Sequence, residues 1–227
     1  MDLARRAVAE ATGTALLLAA VVGSGIMAQR LAGGNVALAL LANSLATGGA
    51  LVAILLMFGP ISGAQLNPAV TVVMALTREL TPAVAVGYIA VQIAGAIAGA
   101  IVANAMFALD PVTLSTTVRA GFPKLLSEAV ATFGVIGVLI AVGRTRAAIT
   151  PLAVAAYIVA AYWFTASTSF ANPAVTIGRA FSDTYAGIRP ADIAGFIAAQ
   201  AVGAALGGVV FSWLAPRSVA SAVQARG

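Results

Sequence analysis

Long apolar runs alternate with short polar breaks along this chain. Six of the runs reach the roughly 20 residues that cross a bilayer as a helix. They cover residues 7–28, 36–58, 82–107, 123–142, 148–166 and 190–215. The breaks carry turn chemistry: Gly59-Pro60, Thr81-Pro82, a polar stretch from Asp110 to Gly121, Arg144-Thr145-Arg146, and Arg189-Pro190. After the second and fifth runs the pattern changes. The same five residues stand there twice, Asn67-Pro68-Ala69-Val70-Thr71 and Asn172-Pro173-Ala174-Val175-Thr176, 105 positions apart (172 − 67). Each copy opens an apolar segment too short to span. Asn is a strong N-cap and Pro is favoured at the first helical position, so each copy predicts the capped start of a half-helix. Broken helices sit at membrane depth only where they line a cavity.

The halves repeat, about 1–110 and 121–227 within a single transmembrane domain, 1–227. Each has a carboxylate in its first run (Glu10, Glu128) and Xaa-Pro opening its third (Pro82, Pro190). Each then has Gln and a small-residue stretch: Gln92 with Gly95 and Gly99, Gln200 with Gly203 and Gly207. Glycines four apart permit close helix crossing in lipid. Three runs per half is an odd number, so the second half enters from the opposite side. The expectation is an all-α membrane protein with an inverted internal repeat.

Composition narrows the class. The chain is 61% hydrophobic and only 8% charged, with mean hydropathy +1.03, against about a quarter charged in soluble domains. The net charge of +5 gives no nucleic-acid signal, because the basic residues lie singly in inter-helix loops. Cys and His are both absent. That removes disulfides, thiolate and imidazole metal ligands, and the commonest general base, so no cofactor, no metal and no enzyme activity are expected. The basic start at Met1–Arg6 has the look of a signal peptide, but the run behind it is long enough to span and no clear cleavage site follows. No lipidation motif is visible. Arg5, Arg6, Arg78, Arg144, Arg146, Arg217 and Arg226 fall on one side, Arg30, Arg119, Lys124, Arg179 and Arg189 on the other. This bias puts both termini in the cytoplasm.

A half-helix carries partial positive charge at its N-terminus. Inverted halves point two such ends at each other near mid-membrane, a barrier to protons and cations. If each Asn oxygen caps its own helix, Asn67 and Asn172 hold their NH2 groups toward the cavity. These parts make a conduit for neutral, hydrogen-bonding molecules. On the paired Asn-Pro-Ala motifs, on Ile61-Ser62-Gly63-Ala64-Gln65-Leu66 before the first, on Glu10 and Glu128, and on six spans, the chain resembles the aquaporins and aquaglyceroporins, the major intrinsic proteins. The resemblance covers almost the whole chain. It implies a right-handed bundle of six tilted helices plus two re-entrant half-helices in the cell membrane, a bacterial inner membrane by subgroup. It further implies one pore per subunit, a homotetramer, and Glu10 and Glu128 accepting hydrogen bonds from the re-entrant loops.

The chain departs from the family at its filter. Most members have Arg immediately after the second Asn-Pro-Ala; here Val175 stands there. By family spacing the other filter positions fall on Thr47, on Ser169, and on Ala160, with Ala161 or Tyr162 in its place if the loop differs in length. No alignment can put His in this filter, so the strict water filter is impossible, and the glycerol filter is not matched either. The expectation is a wider, uncharged constriction with hydroxyls at Thr47 and Ser169. A bacterial subgroup with this Arg replaced by a small apolar residue is similar and is associated with arsenic species. Arsenite, methylated arsenicals, glycerol, urea and water are all compatible by size. Arg179, one turn beyond Val175, has two readings: a residue of the outer mouth, or a cation at a helix C-terminus paired with Asp183, which is preferred. Tyr162, Trp163 and Tyr185 read as packing or interface residues rather than pore residues.

The leading function is therefore a passive channel for water and small neutral solutes. The alternative is a secondary transporter, since inverted repeats and broken helices occur there as well. A transporter usually needs a coupling-ion site, and apart from Glu10 and Glu128 the spans carry acidic or basic residues only at their entrances, Lys124 and Asp192.

Overall fold

The computed structural model describes residues 2–216, and these form eight α-helices and no strand. In chain order they are α1 Leu3–Leu31, α2 Val36–Ser62, α3 Pro68–Leu76, α4 Pro82–Met106, α5 Phe122–Thr145, α6 Thr150–Phe164, α7 Pro173–Arg179 and α8 Ile193–Leu214. Short 3-10 turns, Ala147–Ile149 and Pro190–Asp192, lead into α6 and α8. Six segments are long and apolar enough to cross a membrane; α3 and α7 are not. Arg217 and Arg226, used in the charge count above, lie outside the described residues.

Local chemistry sets most boundaries. The side chain of Asn35 accepts from Leu38 N at 3.0 Å and caps α2, and Thr81 does the same for α4 through Val84 N at 3.4 Å. The second span does not stop at Gly59-Pro60 as expected. It runs on to Ser62, because Pro60 forfeits a single ladder bond in the last turn, and it ends at Gly63, whose left-handed φ of 92° turns the chain inward.

The six long helices alternate in direction. Arg30 donates to Phe107 O at 3.0 Å and joins the end of α1 to the end of α4. Arg144 meets Glu79 at 3.7 Å on the other face, where α5 ends and the segment after α3 lies. We call the face where α1 begins the near face and its opposite the far face. The two repeat-related crossings are tight for the expected reason. Gly95 and Gly99 of α4 lie on the carbonyls of Ala11 and Ala15, and Gly203 and Gly207 of α8 lie on those of Ala129 and Phe133. Any Cβ at Gly95, Gly99 or Gly203 would collide with a backbone oxygen. The bundle thus forms two matched halves, with α3 descending from the centre toward the near face and α7 toward the far face.

Candidate functional site

The loops that carry the half-helices are bent by left-handed residues and fastened by buried carboxylates. Ala64 (φ 44°) and Leu66 (φ 51°) precede α3; Ser169 (φ 50°) and Ala171 (φ 47°) precede α7. A left-handed non-glycine residue costs about 1–2 kcal/mol and persists only when its surroundings fix it. Glu10, fully buried, accepts from Gln65 N (2.9 Å), Leu66 N (2.7 Å), Ser62 Oγ (2.6 Å) and Gln92 Nε2 (2.8 Å). Glu128, equally buried, accepts from Phe170 N (2.8 Å), Ala171 N (2.9 Å) and Gln200 Nε2 (2.7 Å). Each such charge-assisted bond contributes about 1.5–3 kcal/mol, enough to offset the strain. Gln92 and Gln200 also donate to Thr71 Oγ1 (3.0 Å) and Thr176 Oγ1 (2.9 Å), so each carboxylate is linked to its half-helix.

At the centre the half-helices meet tip to tip. Asn67 Oδ1 accepts from Ala69 N at 2.9 Å, and Asn172 Oδ1 accepts from Ala174 N at 2.9 Å and Val175 N at 3.2 Å. Their amide nitrogens cross over. Asn67 Nδ2 donates to Ala171 O and Asn172 Nδ2 to Leu66 O, both at 2.8 Å. Each NH2 spends one hydrogen on the other half. Pro68 and Pro173 hold the first helical positions, and Ala69 and Ala174 supply the capped N–H groups.

Both asparagines line a cavity of about 350 Å³ whose walls reach from Arg6, Glu79 and Leu80 on the near face to Tyr162 and Arg179 on the far face. Its walls are stripes of residues four apart, the spacing that puts side chains on one helix face. They are Leu17 and Val21 of α1, Thr47, Leu51 and Leu55 of α2, Val70 and Met74 of α3, Val135 and Leu139 of α5, Val154, Ile158 and Tyr162 of α6, and Val175 and Arg179 of α7. Thr47, Ser169 and Val175 lie at the far end of this cavity.

Three expectations need correction. Ala160 is exposed on the outer side of α6 and does not border the cavity. Tyr162, two residues on, does, and its Oη lies 3.3 Å from Thr47 Oγ1. Two residues of helix are a rotation of about 200°, so the shift exchanges the outer face of α6 for the inner. Tyr162 is therefore a wall residue, not packing. Arg179 does not pair with Asp183. That carboxylate instead accepts from Thr116 N at 2.8 Å and Thr116 Oγ1 at 3.1 Å. Arg179 is 2% exposed, donates through Nε to Ala186 O, and lies 3.4 Å from the centre of the Phe170 ring. The far end is consequently not uncharged, because this long side chain folds back into the wall. Trp163 is half exposed and donates to Ser44 Oγ at 3.1 Å, outside the cavity.

The sequence offered no hint of Phe170 and Arg119. Arg119, in the loop after α4, lies 4.9 Å from the same Phe170 ring. It donates to Gly187 O (2.6 Å), Ser167 O (3.3 Å) and Tyr185 O (3.3 Å). Burial pushes its guanidinium below the ordinary arginine value, and the Glu128 charge opposes that. Nothing but the fold brings these residues together. The repeat does mark Gln92 and Gln200, though not what they hold.

The described residues contain no group of His, Cys, Asp or Glu able to hold a metal. With a largely apolar wall, convergent amide donors and two facing helix ends, the arrangement can pass small polar molecules.

Known proteins agree. The family model described as major intrinsic protein matches residues 1–162. An aquaglyceroporin, AqpS, of Rhizobium meliloti (strain 1021) is 51% identical over 94% of this chain and 91% of its own. Aquaporin Z of Bradyrhizobium diazoefficiens is 30% identical over 94% of each. The X-ray structure of the aquaglyceroporin from Plasmodium falciparum superposes with a TM-score of 0.68 over 99% of this chain and all of that one, at 19% identity, a likeness of fold. The chain belongs to the major intrinsic protein family and is a multi-pass membrane channel protein.

Proposed function

We propose that this chain conducts water and small neutral solutes, glycerol among them, passively along the cavity between α3 and α7. The observation that carries this is the cross-tied pair of asparagines at the meeting point of two helix N-termini. Facing positive helix ends disfavour cations, while the remaining amide hydrogens serve polar neutral solutes. The aquaglyceroporin and aquaporin relatives support glycerol and water as permeants. Val175 leaves more room than the usual Arg, so urea and uncharged trihydroxides such as arsenious acid, the neutral form of arsenite, belong to the same reading. Thr47, Ser169 and Tyr162 form the filter wall with Val175, and Glu10 and Glu128 act structurally. The working assembly is a homotetramer in a bacterial inner membrane, with both termini in the cytoplasm and the far face outside.

Stopped-flow light scattering on proteoliposomes tests this. Water and glycerol entry should rise linearly with gradient and ignore ionophores. Saturation with counterflow would instead establish the secondary transporter.

A further inference from the structure

The two ends of the cavity share one scaffold, yet four repeat-related wall positions carry different chemistry. Equivalent positions of the two halves are 105 residues apart on the half-helices and their loops (179 − 74) and 107 apart on α2 and α6 (162 − 55). At the far end stand Arg179, Ser169, Tyr162 and Thr47. Their mates at the near end are Met74, Ala64, Leu55 and Val154. The repeat therefore builds the same wall from apolar residues, so nothing in the packing demands a cation or hydroxyls at the far end.

Arg179 keeps donors that the scaffold does not use. It is 2% exposed, and among the described residues its terminal nitrogens have no hydrogen-bond partner and no carboxylate lies within ion-pair distance. Ser169 Oγ, also buried and on the cavity wall, is likewise unpartnered. Nε, held by Ala186 O, and the Phe170 ring fix the guanidinium in the cavity wall. A guanidinium presents parallel donors that match two adjacent oxygens, which a water or a single hydroxyl does not fill.

We propose that Arg179 makes the far chamber a subsite for small oxyacids, neutral or monoanionic, that carry two adjacent acceptor oxygens, and that it also repels cations at this end. This rests on the channel reading above. Methanesulfonate is a suitable probe because it stays ionised and does not cross lipid as a neutral acid.

The test measures glycerol entry into proteoliposomes with methanesulfonate on both sides. In the wild type, tens of millimolar should slow entry about twofold, as half-occupancy of a weak site requires. Sodium chloride at equal ionic strength should not. R179M, which copies the repeat mate, should abolish the slowing and admit potassium under a gradient. R179K should weaken the slowing yet still exclude potassium, since ammonium keeps the charge without the fork. If R179M carries no glycerol, the R179K comparison decides. No slowing in the wild type, equal slowing by chloride, or equal slowing in the variants would overturn the proposal. A wild type that passes neither water nor glycerol would overturn the channel reading instead.

Discussion

Replacing Glu128 with Gln changes one oxygen for a nitrogen and removes a charge, with almost no change in shape. Three donors converge on that carboxylate, two of them backbone N–H groups of the strained loop. An amide offers one acceptor and must turn its NH2 toward at least one of those donors. An unsatisfied buried donor costs about 1–3 kcal/mol, and each surviving bond drops from charge-assisted to neutral strength at about 1 kcal/mol. Relief from burying a charge offsets part of this. The net loss is about 2–4 kcal/mol, which lowers the midpoint by roughly 5–15 °C for a chain of this size. Glu10 accepts a fourth bond, from Ser62 Oγ, so Glu10→Gln should cost more than Glu128→Gln. Thermal unfolding of the purified detergent-solubilised protein reads both. Midpoints within about 2 °C of wild type, or the reverse order, would mean that the carboxylates do not hold the loops.

Val175→Arg places a bulky cation beside Asn172, and stopped-flow traces should show glycerol and arsenite entry falling more than water entry. Tyr162→Ala opens the wall opposite Thr47 and should raise glycerol flux relative to water, while Ala160→Phe, on the outer side of α6, should leave that ratio alone; the opposite result would restore Ala160 to the filter. Gly99→Val drives a side chain into the Ala15 carbonyl, and overpacking of this kind costs about 1–3 kcal/mol or more, so the folded yield on gel filtration should collapse.

The half-helices were legible because their cap chemistry is local: Asn, then Pro, then an apolar run, written twice. The glycine crossings were legible for the same reason, since a spacing of four on a helix is a face. Glu10 and Glu128 could be matched to their loops only through the family resemblance, because their partners are 55 and 42 residues away. Tyr162 could be named only as an alternative to Ala160, because α6 is apolar nearly all round, so its composition gives no phase and a two-residue shift in the loop exchanges its faces. Arg179 was misread because helix position fixes a Cβ, not the end of a four-bond side chain. A basic residue at a helix C-terminus has a standard surface explanation, and only the fold puts the Phe170 ring and Ala186 O where they draw it inward.

The site is held by a circuit rather than by two independent halves. Glu128 fixes the N–H of Ala171, whose left-handed backbone aims its carbonyl at the other half. That carbonyl receives Asn67 Nδ2, and Asn67 Oδ1 in turn caps α3. The return path runs from Glu10 through Leu66 to Asn172 and the cap of α7. Each half-helix therefore begins correctly only if the opposite loop is strained in the right way, and each strain is relieved only in the folded whole. The same circuit leaves one hydrogen on each amide free for the solute, because the other is already committed to the opposite half. A polar conduit through lipid needs donors that cannot collapse onto each other, and mutual capping by inverted copies achieves this without any charged group at the centre.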